Sequence, residues 1–534
     1  MDPDVLCKVL LLILMTQIGK TFQIIRHIVS TIPEDIDFGR SVHIIFTMNT
    51  LLNNKQFAKR LDQLELEHGV GSICILSSKD EGKYKHVKNR TELQGLCLDE
   101  QTCPRIIVMC SNRARFDDGL DFIKVLNTNN TCIKRVLVYF DELHKYLNSD
   151  LRKQIEDINL MDIVETIIAM TATPNKIFQN SGFWSSINTI YLDNYCETNY
   201  AGYKDMIFHC IDDYFPSPYK LLGGHAQMDN ETIGFIEHIL KLYPNILGQG
   251  TRTFIPASIR RVSHERVREL VFNKCKDALV VVLNGYEKTL LYRDQHNDLK
   301  MIDLKSTDEE VSETIARNII QNKLVNRPLV ITGFLCVGMG QTLSHKKLGS
   351  FTSAIFSHLY CSNDDIYQLF GRITGRMKDW GDKYVQTQVY CPSIIKHRCY
   401  IMEECARNIM EEFNGQSITK DDYMKPVYCL DEGAAVLINQ PKHLSPKKTT
   451  VDLDKDYKVF DNQDEAIAFG CNLGIKFNKR KTMEAPKEVQ VNGHNPTVED
   501  LIRRWWGISD KNRGRMIPTD QNKWCVYWRP SLIS

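Results

Sequence analysis

The sequence lacks the features that mark membrane proteins, disulfide-rich secreted proteins and strongly basic nucleic-acid-binding proteins. No apolar run reaches the ~18 residues that a membrane-spanning helix needs. The 17 cysteines include no Cys-x-x-Cys pair, so we predict neither a zinc site nor a disulfide framework, and we expect a reducing, intracellular compartment. The formal net charge is only +1, and any nucleic-acid binding must therefore depend on local basic patches.

Short apolar runs and helical segments alternate along most of the chain. The 534 residues are too many for one hydrophobic core, and this length predicts two to four domains. Strands that alternate with helices predict βαβ units with parallel sheets, and hence the α/β class. The predicted strands span residues 8–15, 41–47, 71–77, 105–110, 135–140, 166–169, 251–257, 278–283, 328–331 and 352–356.

A buried strand that ends in charged residues is the most informative stretch. Residues 136–140 are apolar throughout (VLVYF), as in a strand covered on both faces of a parallel sheet. Asp141, Glu142 and His144 follow directly. The carboxyl edge of an open α/β sheet is where ligands bind. Taken alone, the stretch is explained equally well by a core strand that ends in an acidic turn.

A phosphate-binding loop is predicted near the amino terminus, although its pattern is incomplete. The first strand leads into TQIGKT, which an amphipathic helical segment follows. Backbone N–H groups at the start of such a helix favour an anion. Gln17 and Gly19 belong to the same loop and would bind the nucleotide with them. Lys20 could reach the β- and γ-phosphates of a nucleotide, and the Thr21 hydroxyl could ligate Mg²⁺. The full pattern requires glycine five positions before Gly19, where this chain has Leu14.

Two further motifs lie in the second half of the chain. Gln368, Arg372 and Arg376 recur at every fourth residue, which predicts that they share one face of a helix. Arginine binds phosphate oxygens bidentately, so this face suits a phosphate chain, although a solvated basic face would look the same. Gly338 and Gly340 follow a predicted strand and would let the backbone approach a ligand closely.

These motifs, in this order, resemble the two RecA-like domains of superfamily 2 helicases of DExH type. The matching stretches are GKT at 19–21, DELH at 141–144, TAT at 171–173, GMGQT at 338–342 and QLFGRITGR at 368–376. They cover about two thirds of the chain. The family usually places its second arginine three residues after the first, whereas here the spacing is four. The loose loop and the longer arginine motif resemble those of the divergent helicases of large DNA viruses and phages more than those of the common cellular DEAD-box type.

The resemblance implies an ATP hydrolase that uses Mg²⁺ and acts on DNA or RNA. Asp141 and Thr21 would hold the metal, and Glu142 would be the general base. Because only 18 residues precede Gly19, we expect no adenine-reading element upstream of the loop. The other implied catalytic residues are Gln368, Arg372 and Arg376, and the implied nucleotide-binding residues are Gln17, Gly19, Lys20, Thr21, Gly338 and Gly340.

The resemblance also implies roles outside the hydrolysis site. The residues that would couple nucleotide to nucleic acid are His144, Thr171 and Thr173, although a plain strand-end turn also explains the two threonines. The residues that would contact nucleic acid are Thr47, Asn49, Asn112, Arg113 and Thr342. Replication or transcription proteins could be further partners, and a viral protein would reside in the host cytoplasm, the nucleus or the virion. We expect no membrane contact.

Three parts are predicted: a first RecA-like domain at 1–192, a linker and second domain at 193–413, and a linker and small α+β or helical domain at 414–534. Twelve basic and six acidic residues lie between Cys471 and Ser534. Basic residues among aromatic ones suit nucleic acid, but a domain of ~60 residues also needs large side chains for its own core. Four of the six tryptophans are here: Trp505, Trp506, Trp524 and Trp528.

Three functions remain open on the sequence alone. The first is an ATP-dependent helicase or translocase with two RecA-like domains. The second is an ATP-switched nucleic-acid remodelling or transcription-release factor that does not unwind duplexes. The third is a catalytically dead scaffold, which Leu14 in the loop favours and the intact Asp141, Glu142 and Arg372 oppose.

Overall fold

A computed structural model of the chain divides it into two compact units, Met1–His443 and Leu444–Ser534. No helix among the described residues is long and apolar enough to cross a bilayer, and the described cysteines form no disulfide bond with one another. The structure describes residues 8–35, 40–47, 57–62, 73–77, 85–97, 102–111, 113–128, 133–179, 182–192, 198–215, 225–304, 310–334, 342–428, 456–472, 514–518 and 524–528.

The first sheet collects the apolar strands of the amino-terminal third. Its order is β8-β1-β7-β6-β2-β5-β3-β4, and all of these neighbours are parallel. Every residue of the second, third and fifth strands is buried, as expected where helices cover both faces of a sheet. The strands are β1 (Val9–Ile13), β2 (Ser41–Thr47), β3 (Ile73–Leu76), β4 (Lys85–Val87), β5 (Ile106–Cys110), β6 (Arg135–Asp141), β7 (Val164–Thr171) and β8 (Ser186–Thr189).

The helices around this sheet follow from apolar periodicity and from asparagine caps. The first helix, α1 (Lys20–Thr31), buries Ile24, Ile25 and Ile28 on one face. The side chains of Asn89 and Asn148 accept backbone N–H groups at the starts of two other helices. Those helices and the one between them are α2 (Arg90–Leu96), α3 (Arg113–Thr128) and α4 (Ser149–Asn159).

The second sheet has the order β10-β18-β16-β11-β15-β12-β13-β14, in which only the last two pairs are antiparallel. Its strands are β10 (Ile207–Cys210), β11 (Arg252–Phe254), β12 (Leu279–Leu283), β13 (Lys288–Arg293), β14 (Leu299–Asp303), β15 (Leu329–Gly333), β16 (Ser353–Ile355) and β18 (Gln388–Cys391). Its helices are α5 (His225–Leu242), α6 (Arg261–Lys274), α7 (Val311–Gln321), α8 (Asn363–Phe370) and α9 (Ser393–Glu412). The predicted α/β class with two tandem, mainly parallel sheets is confirmed.

Two short strands form a separate antiparallel ribbon. They are β9 (Tyr200–Ala201), which precedes the second sheet, and β17 (Gly375–Arg376), which follows α8. The part at 193–413 was predicted to begin with a linker, yet residues 200–210 supply both β9 and β10, an edge strand of the second sheet. Their strands are too short for a sequence pattern to reveal.

After the second sheet the chain returns to the first. The carboxyl half of α9 packs into the first core, and β19 (Ser417–Thr419) pairs antiparallel with β8. Ile418 of this strand is fully buried, and α10 (Lys420–Tyr428) follows. Residues 417–419, predicted to lie in the linker that begins at 414, therefore extend the first sheet, and the buried Tyr423 of α10 packs into the same core. A three-residue edge strand gives no periodic signal.

The described part of the second unit is a small α+β structure. Its antiparallel sheet has the order β20 (Asp456–Phe460), β22 (Trp524–Trp528) and β21 (Gly514–Pro518), and α11 (Gln463–Asn472) packs against it. Trp524 packs against the buried Ala466 and Val526. This contact gives Trp524 a structural role in the core. Trp505 and Trp506 lie outside the described residues.

Candidate active site

The predicted phosphate loop lies between the end of β1 and the first residue of α1. Gly19 precedes the helix with a φ of 113°, in the left-handed region where only glycine is unstrained. No side chain caps the amino terminus of this helix. Its first N–H groups and the positive end of its dipole therefore favour an anion, although Leu14 replaces the usual first glycine of the loop.

The acidic turn faces this loop. Lys20 Nζ is 3.3 Å from Glu142 Oε1, and both side chains are nearly buried. Burial acts to raise the pKa of Glu142, but Lys20, by its charge and hydrogen bond, and the neighbouring His144 and Lys145 together outweigh it and hold this pKa below its ordinary value. Burial beside the Glu142 charge raises the pKa of Asp141 to about 7. Glu142 is thus the carboxylate that stays charged, as a general base must.

The backbone of the cleft is strained at two points. Gln17 and Glu142 have φ angles of 59° and 52°. Among the described residues only four that are not glycine have positive φ, and these two line the same cleft. Such conformations cost about 1–3 kcal/mol each and cluster at functional sites.

The three residues predicted to couple nucleotide to nucleic acid lie in direct contact. Thr171 Oγ1 is 2.7 Å from His144 Nδ1, and Thr173 Oγ1 is 3.1 Å from His144 Nε2. Burial lowers the pKa of His144 to about 3, so the ring is neutral at physiological pH. His144 Nδ1 is also 3.3 Å from Glu142 Oε2. The ends of β6 and β7 are therefore joined at Glu142.

The second α/β domain contributes two residues to the same cleft: Gln368 from α8, and Arg372, which lies two residues after that helix ends. Both side chains are almost fully buried. Burial lowers the pKa of Arg372 to about 10, which leaves the guanidinium charged at neutral pH. Neither the buried Nε2 of Gln368 nor the buried Oε2 of Glu142 makes a hydrogen bond in the protein, although His144 Nδ1 lies 3.3 Å from that oxygen. Two buried polar atoms without partners in one cleft suit a polar ligand.

The prediction that Arg376 shares a helix face with Gln368 and Arg372 is wrong. The helix α8 ends at Phe370, and Arg376 lies in β17, with its side chain exposed. Its Nε donates a hydrogen bond to the Ile18 carbonyl oxygen, 2.9 Å away. Arg376 therefore supports the backbone of the loop and does not line the cleft.

Other residues from beyond the first sheet support this loop as well. The Tyr200 hydroxyl donates to the Thr16 carbonyl oxygen at 3.0 Å, and Thr374 Oγ1 donates to the same oxygen at 3.3 Å. A Cβ at Gly371 would lie 2.6 Å from Thr16 Cβ, so only glycine allows this approach. We name this set, Tyr200, Gly371, Thr374 and Arg376, the loop support.

The resulting cleft has a volume of about 510 Å³ and brings together most of the predicted hydrolysis residues. Thr21 and Asp141 both line it, and they offer the hard oxygen ligands that Mg²⁺ prefers. The described residues contain no group of three or more acidic, histidine or cysteine side chains that could hold a metal by themselves. The lining residues are Thr16, Gln17, Gly19, Lys20, Thr21, Phe22, Ile25, Arg60, Asp141, Glu142, Thr342, Gln368 and Arg372.

The residues predicted to contact nucleic acid are placed differently. Thr47 is fully buried at the end of β2, so its side chain does not reach a ligand on the surface. Thr342 lines the cleft, and its hydroxyl is 3.3 Å from Gln17 Oε1. Arg113 begins α3. The predicted residues that lie outside the described part of the chain are Asn49, Asn112, Gly338 and Gly340.

Sequence reasoning missed several lining residues. Arg60 reaches the cleft from a helical segment of the first domain, and it pairs with Glu310 of the second at 2.7 Å. No local pattern distinguishes this arginine from a surface one. Phe22 and Ile25 follow directly from the loop and could have been found by continuing its pattern into α1.

Comparison with known proteins gives neither a matching family model nor a matching curated sequence. A variant of S. cerevisiae Dbp5 bound to RNA and ADP BeF3 matches at 10% identity and a TM-score of 0.38, covering 82% of this chain and 90% of that one. T4 UvsW matches at 11% identity and a TM-score of 0.22, covering 72% of this chain and 64% of that one. The E. coli DExH-box NTPase HrpB matches at 12% identity and a TM-score of 0.31, covering 74% of this chain and 43% of that one. With TM-scores below 0.5, these likenesses carry no weight in the assignment of the site.

Proposed function

We propose that the protein is an ATP-dependent motor on nucleic acid, a helicase or translocase that hydrolyses ATP between its two α/β domains. One observation carries the proposal. A single cleft combines the phosphate loop and acidic pair of the first domain with a buried, charged arginine from the second domain. A site assembled from two domains changes shape when they move, and hydrolysis can then drive motion.

The residues support a division of labour in hydrolysis. Lys20 would exchange its contact with Glu142 for the β- and γ-phosphates. Glu142, charged and with one oxygen that lacks a hydrogen-bond partner, would orient the attacking water and take its proton. Arg372 would stabilise the charge that develops on the transferred phosphoryl group, with Gln368 beside it.

Thr21 and Asp141 would hold Mg²⁺, which neutralises phosphate charge when bound. The raised pKa of Asp141 fits this role, because a divalent cation would stabilise its charged form. Two protein oxygens are sufficient, since Mg²⁺ in such sites is bound by one or two protein groups together with phosphates and water.

The nucleic-acid part of the proposal is supported by the order of the motifs and by the basic carboxyl-terminal region. His144 contacts Thr171 and Thr173, and these contacts support a role in which changes at Glu142 reach the carboxyl edge of the first sheet, where β7 ends. The proposal covers both DNA and RNA as the nucleic acid. It also includes a viral origin, which the loose phosphate loop and the longer arginine motif support.

ATP hydrolysis by the wild type and by Glu142→Gln, each with and without single-stranded DNA, duplex DNA and RNA, tests the proposal. We expect hydrolysis in the wild type, stimulation by at least one nucleic acid, and a loss of about 100-fold or more in the variant. Glu269→Gln, which changes an exposed carboxylate outside the cleft, is the matched control. Wild-type protein without nucleic-acid-stimulated hydrolysis would refute the motor.

A strand-displacement assay separates the two remaining alternatives. A helicase displaces a labelled strand from a duplex with a single-stranded overhang in the presence of ATP. An ATP-switched remodelling or release factor would show stimulated hydrolysis without displacement. A chain that binds ATP but does not hydrolyse it under any of these conditions would be the inactive scaffold.

A further inference from the structure

A second cavity lies apart from the hydrolysis cleft, at the carboxyl edge of the first sheet. It has a volume of about 200 Å³ and lies between α3, α4 and the turn that follows Glu142. Pockets for drug-sized ligands usually measure ~300–1,000 Å³, so this cavity suits a ligand of the size of one long side chain.

One polar atom in the wall of this cavity has no partner. Ser111 follows the last residue of β5 and lines the cavity, and its side chain is only 7% exposed. Its Oγ is buried and makes no hydrogen bond in the protein. An unpaired buried hydroxyl costs about 1–3 kcal/mol, and in the wall of a cavity it indicates a ligand that can pair with it.

Two aromatic rings form the apolar part of the wall. The ring centroids of Phe116 and Tyr146 lie 5.4 Å apart. Phe116 also stacks on Phe46 and Phe140, at 4.6 and 5.9 Å, so packing of the core holds it in place. The Tyr146 hydroxyl is already engaged, because it donates to the Asp141 carbonyl oxygen at 2.7 Å. The rings therefore offer the ligand a fixed surface for stacking.

The rim of the cavity carries negative charge and hydrogen-bond acceptors. Asp117 and Asp150 are exposed there, and none of the described lining residues is basic. Gln154 Nε2 donates to Asp117 Oδ1 at 3.3 Å, which leaves the other oxygen of each side chain as an acceptor. Asp150 lies in the first turn of α4, where the helix dipole favours an acid, but Asp117 lies beyond the first turn of α3. The helix dipole therefore does not explain Asp117.

We propose that this cavity binds the side chain of an arginine that a protein partner presents. A guanidinium has five N–H donors and a permanent positive charge, and its plane stacks on aromatic rings. These properties match the unpaired hydroxyl, the two carboxylates and the two rings. A lysine ammonium has three donors and is more strongly hydrated, so it fits less well. The carboxylates repel phosphate groups, and the cavity therefore does not suit nucleic acid.

Saturation-transfer NMR of the full chain with the end-blocked peptide Gly-Gly-Arg-Gly-Gly tests the proposal. The comparison peptides carry lysine, or citrulline, which has nearly the shape of arginine without its charge. We expect the arginine peptide to bind about fivefold more tightly than the lysine peptide, and the citrulline peptide to bind most weakly. Ser111→Ala should weaken arginine binding about tenfold or more, as for loss of a hydrogen bond to a charged group.

Asp117→Asn keeps the test independent of folding, because this side chain is exposed. It should weaken arginine binding by up to about fivefold, as for loss of an exposed ion pair. Asp157→Asn is the matched control, since it removes an exposed carboxylate of α4 that does not line the cavity. It should bind the arginine peptide as the wild type does.

Wild type that binds none of the peptides would overturn the proposal. Equal binding of all three peptides, or equal losses in Asp117→Asn and Asp157→Asn, would overturn it as well, because the contact would then not be specific to the cavity. Tighter binding of the lysine peptide would overturn the choice of arginine. Folded Ser111→Ala that binds as the wild type does would remove the hydroxyl from the site. The proposed function stands in each case, because no nucleotide is present.

Discussion

Glu142 shows how a single residue can be prepared for chemistry by its surroundings. Its left-handed backbone conformation turns the chain at the end of β6 and directs the carboxylate to Lys20. Burial alone would favour the neutral acid, and Lys20 reverses that preference together with His144 and Lys145. A base charged at neutral pH but without a full set of hydrogen-bond partners is ready to accept a proton from water.

The two arginines of the QLFGRITGR motif should have unequal effects on hydrolysis. Arg372 lines the cleft, whereas Arg376 only supports the Ile18 carbonyl from outside. We therefore expect Arg372→Ala to lower kcat by about 10³-fold or more, as for loss of an arginine finger. Arg376→Ala should lower it by less than about tenfold, as for loss of one hydrogen bond. Steady-state ATP hydrolysis measures both, and equal effects would contradict the assignment.

A methyl group at Gly371 should separate the second domain from the loop. The added carbon would lie 2.6 Å from the Thr16 side chain. Relief of such overpacking costs about 1–3 kcal/mol, so Gly371→Ala should lower kcat/KM for ATP about 5- to 100-fold. Gly95→Ala places its carbon where nothing lies within 4 Å and is the control. Hydrolysis by Gly371→Ala at the wild-type rate would show that this close approach is unnecessary.

Residue chemistry was predictable where neighbours in sequence are neighbours in space. The loop with Lys20 and Thr21, and the acidic pair after β6, could be identified because a strand end fixes where the next few residues lie. Arg60 could not be identified, since its position depends on a chain fold that brings it to the cleft from a distant segment. The pairing of Tyr200 with Thr16 was equally invisible.

At the scale of elements, the arginine motif shows how tertiary pairing overrides periodicity. The four-residue spacing predicted a helix through Arg376. The helix instead ends at Phe370, and Gly375 adopts a φ of 144°, which sends the chain into pairing with Tyr200–Ala201. A strand partner 174 to 176 residues earlier in the chain (Gly375 with Ala201, Arg376 with Tyr200) has no signal in the local sequence. Each strand of the ribbon contacts the phosphate loop: Tyr200 bonds the Thr16 carbonyl oxygen, and Arg376 bonds that of Ile18.

The ribbon should strengthen nucleotide binding through Tyr200. Its hydroxyl bonds the Thr16 carbonyl and lies 3.5 Å from the buried Glu403. Tyr200→Phe removes about 1 kcal/mol of hydrogen bonding, so we expect ADP to bind roughly three- to tenfold more weakly. The control is Tyr191→Phe, which removes a hydroxyl from a residue that is 65% exposed. Titration calorimetry measures both, and identical affinities would mean that the loop holds its shape without the ribbon.

At the scale of the whole first unit, α9 belongs to both hydrophobic cores. Ile395 and Cys399 pack into the core of the second sheet, and Cys405 and Ile409 into that of the first. The fully buried Glu403 between them accepts hydrogen bonds from the Tyr203 N–H and from Arg407. The α/β alternation was readable from sequence, but this shared helix was not, because its apolar pattern does not say which sheet it covers.

Buried neutral histidines make the fold sensitive to acid. Burial lowers the pKa of His43 to about 3 and that of His358 to about 4, against about 6.5 in an unfolded chain. Between pH 6.5 and 4 the unfolded state therefore binds protons that the native state excludes, and stability falls as pH falls. Each histidine should contribute about 1.4 kcal/mol per pH unit in this window.

Urea unfolding of the full chain at pH 7.5, 6.5 and 5.5 measures this loss. We expect His358→Gln, whose amide can still donate to the Ala257 carbonyl that His358 Nε2 contacts at 2.7 Å, to reduce the fall between the two lower pH values. His397→Gln changes an exposed histidine and should leave the fall as in the wild type. A wild-type stability that stays constant from pH 6.5 to 5.5 would mean that these rings become protonated without unfolding. Their burial would then not control the acid limit of the fold.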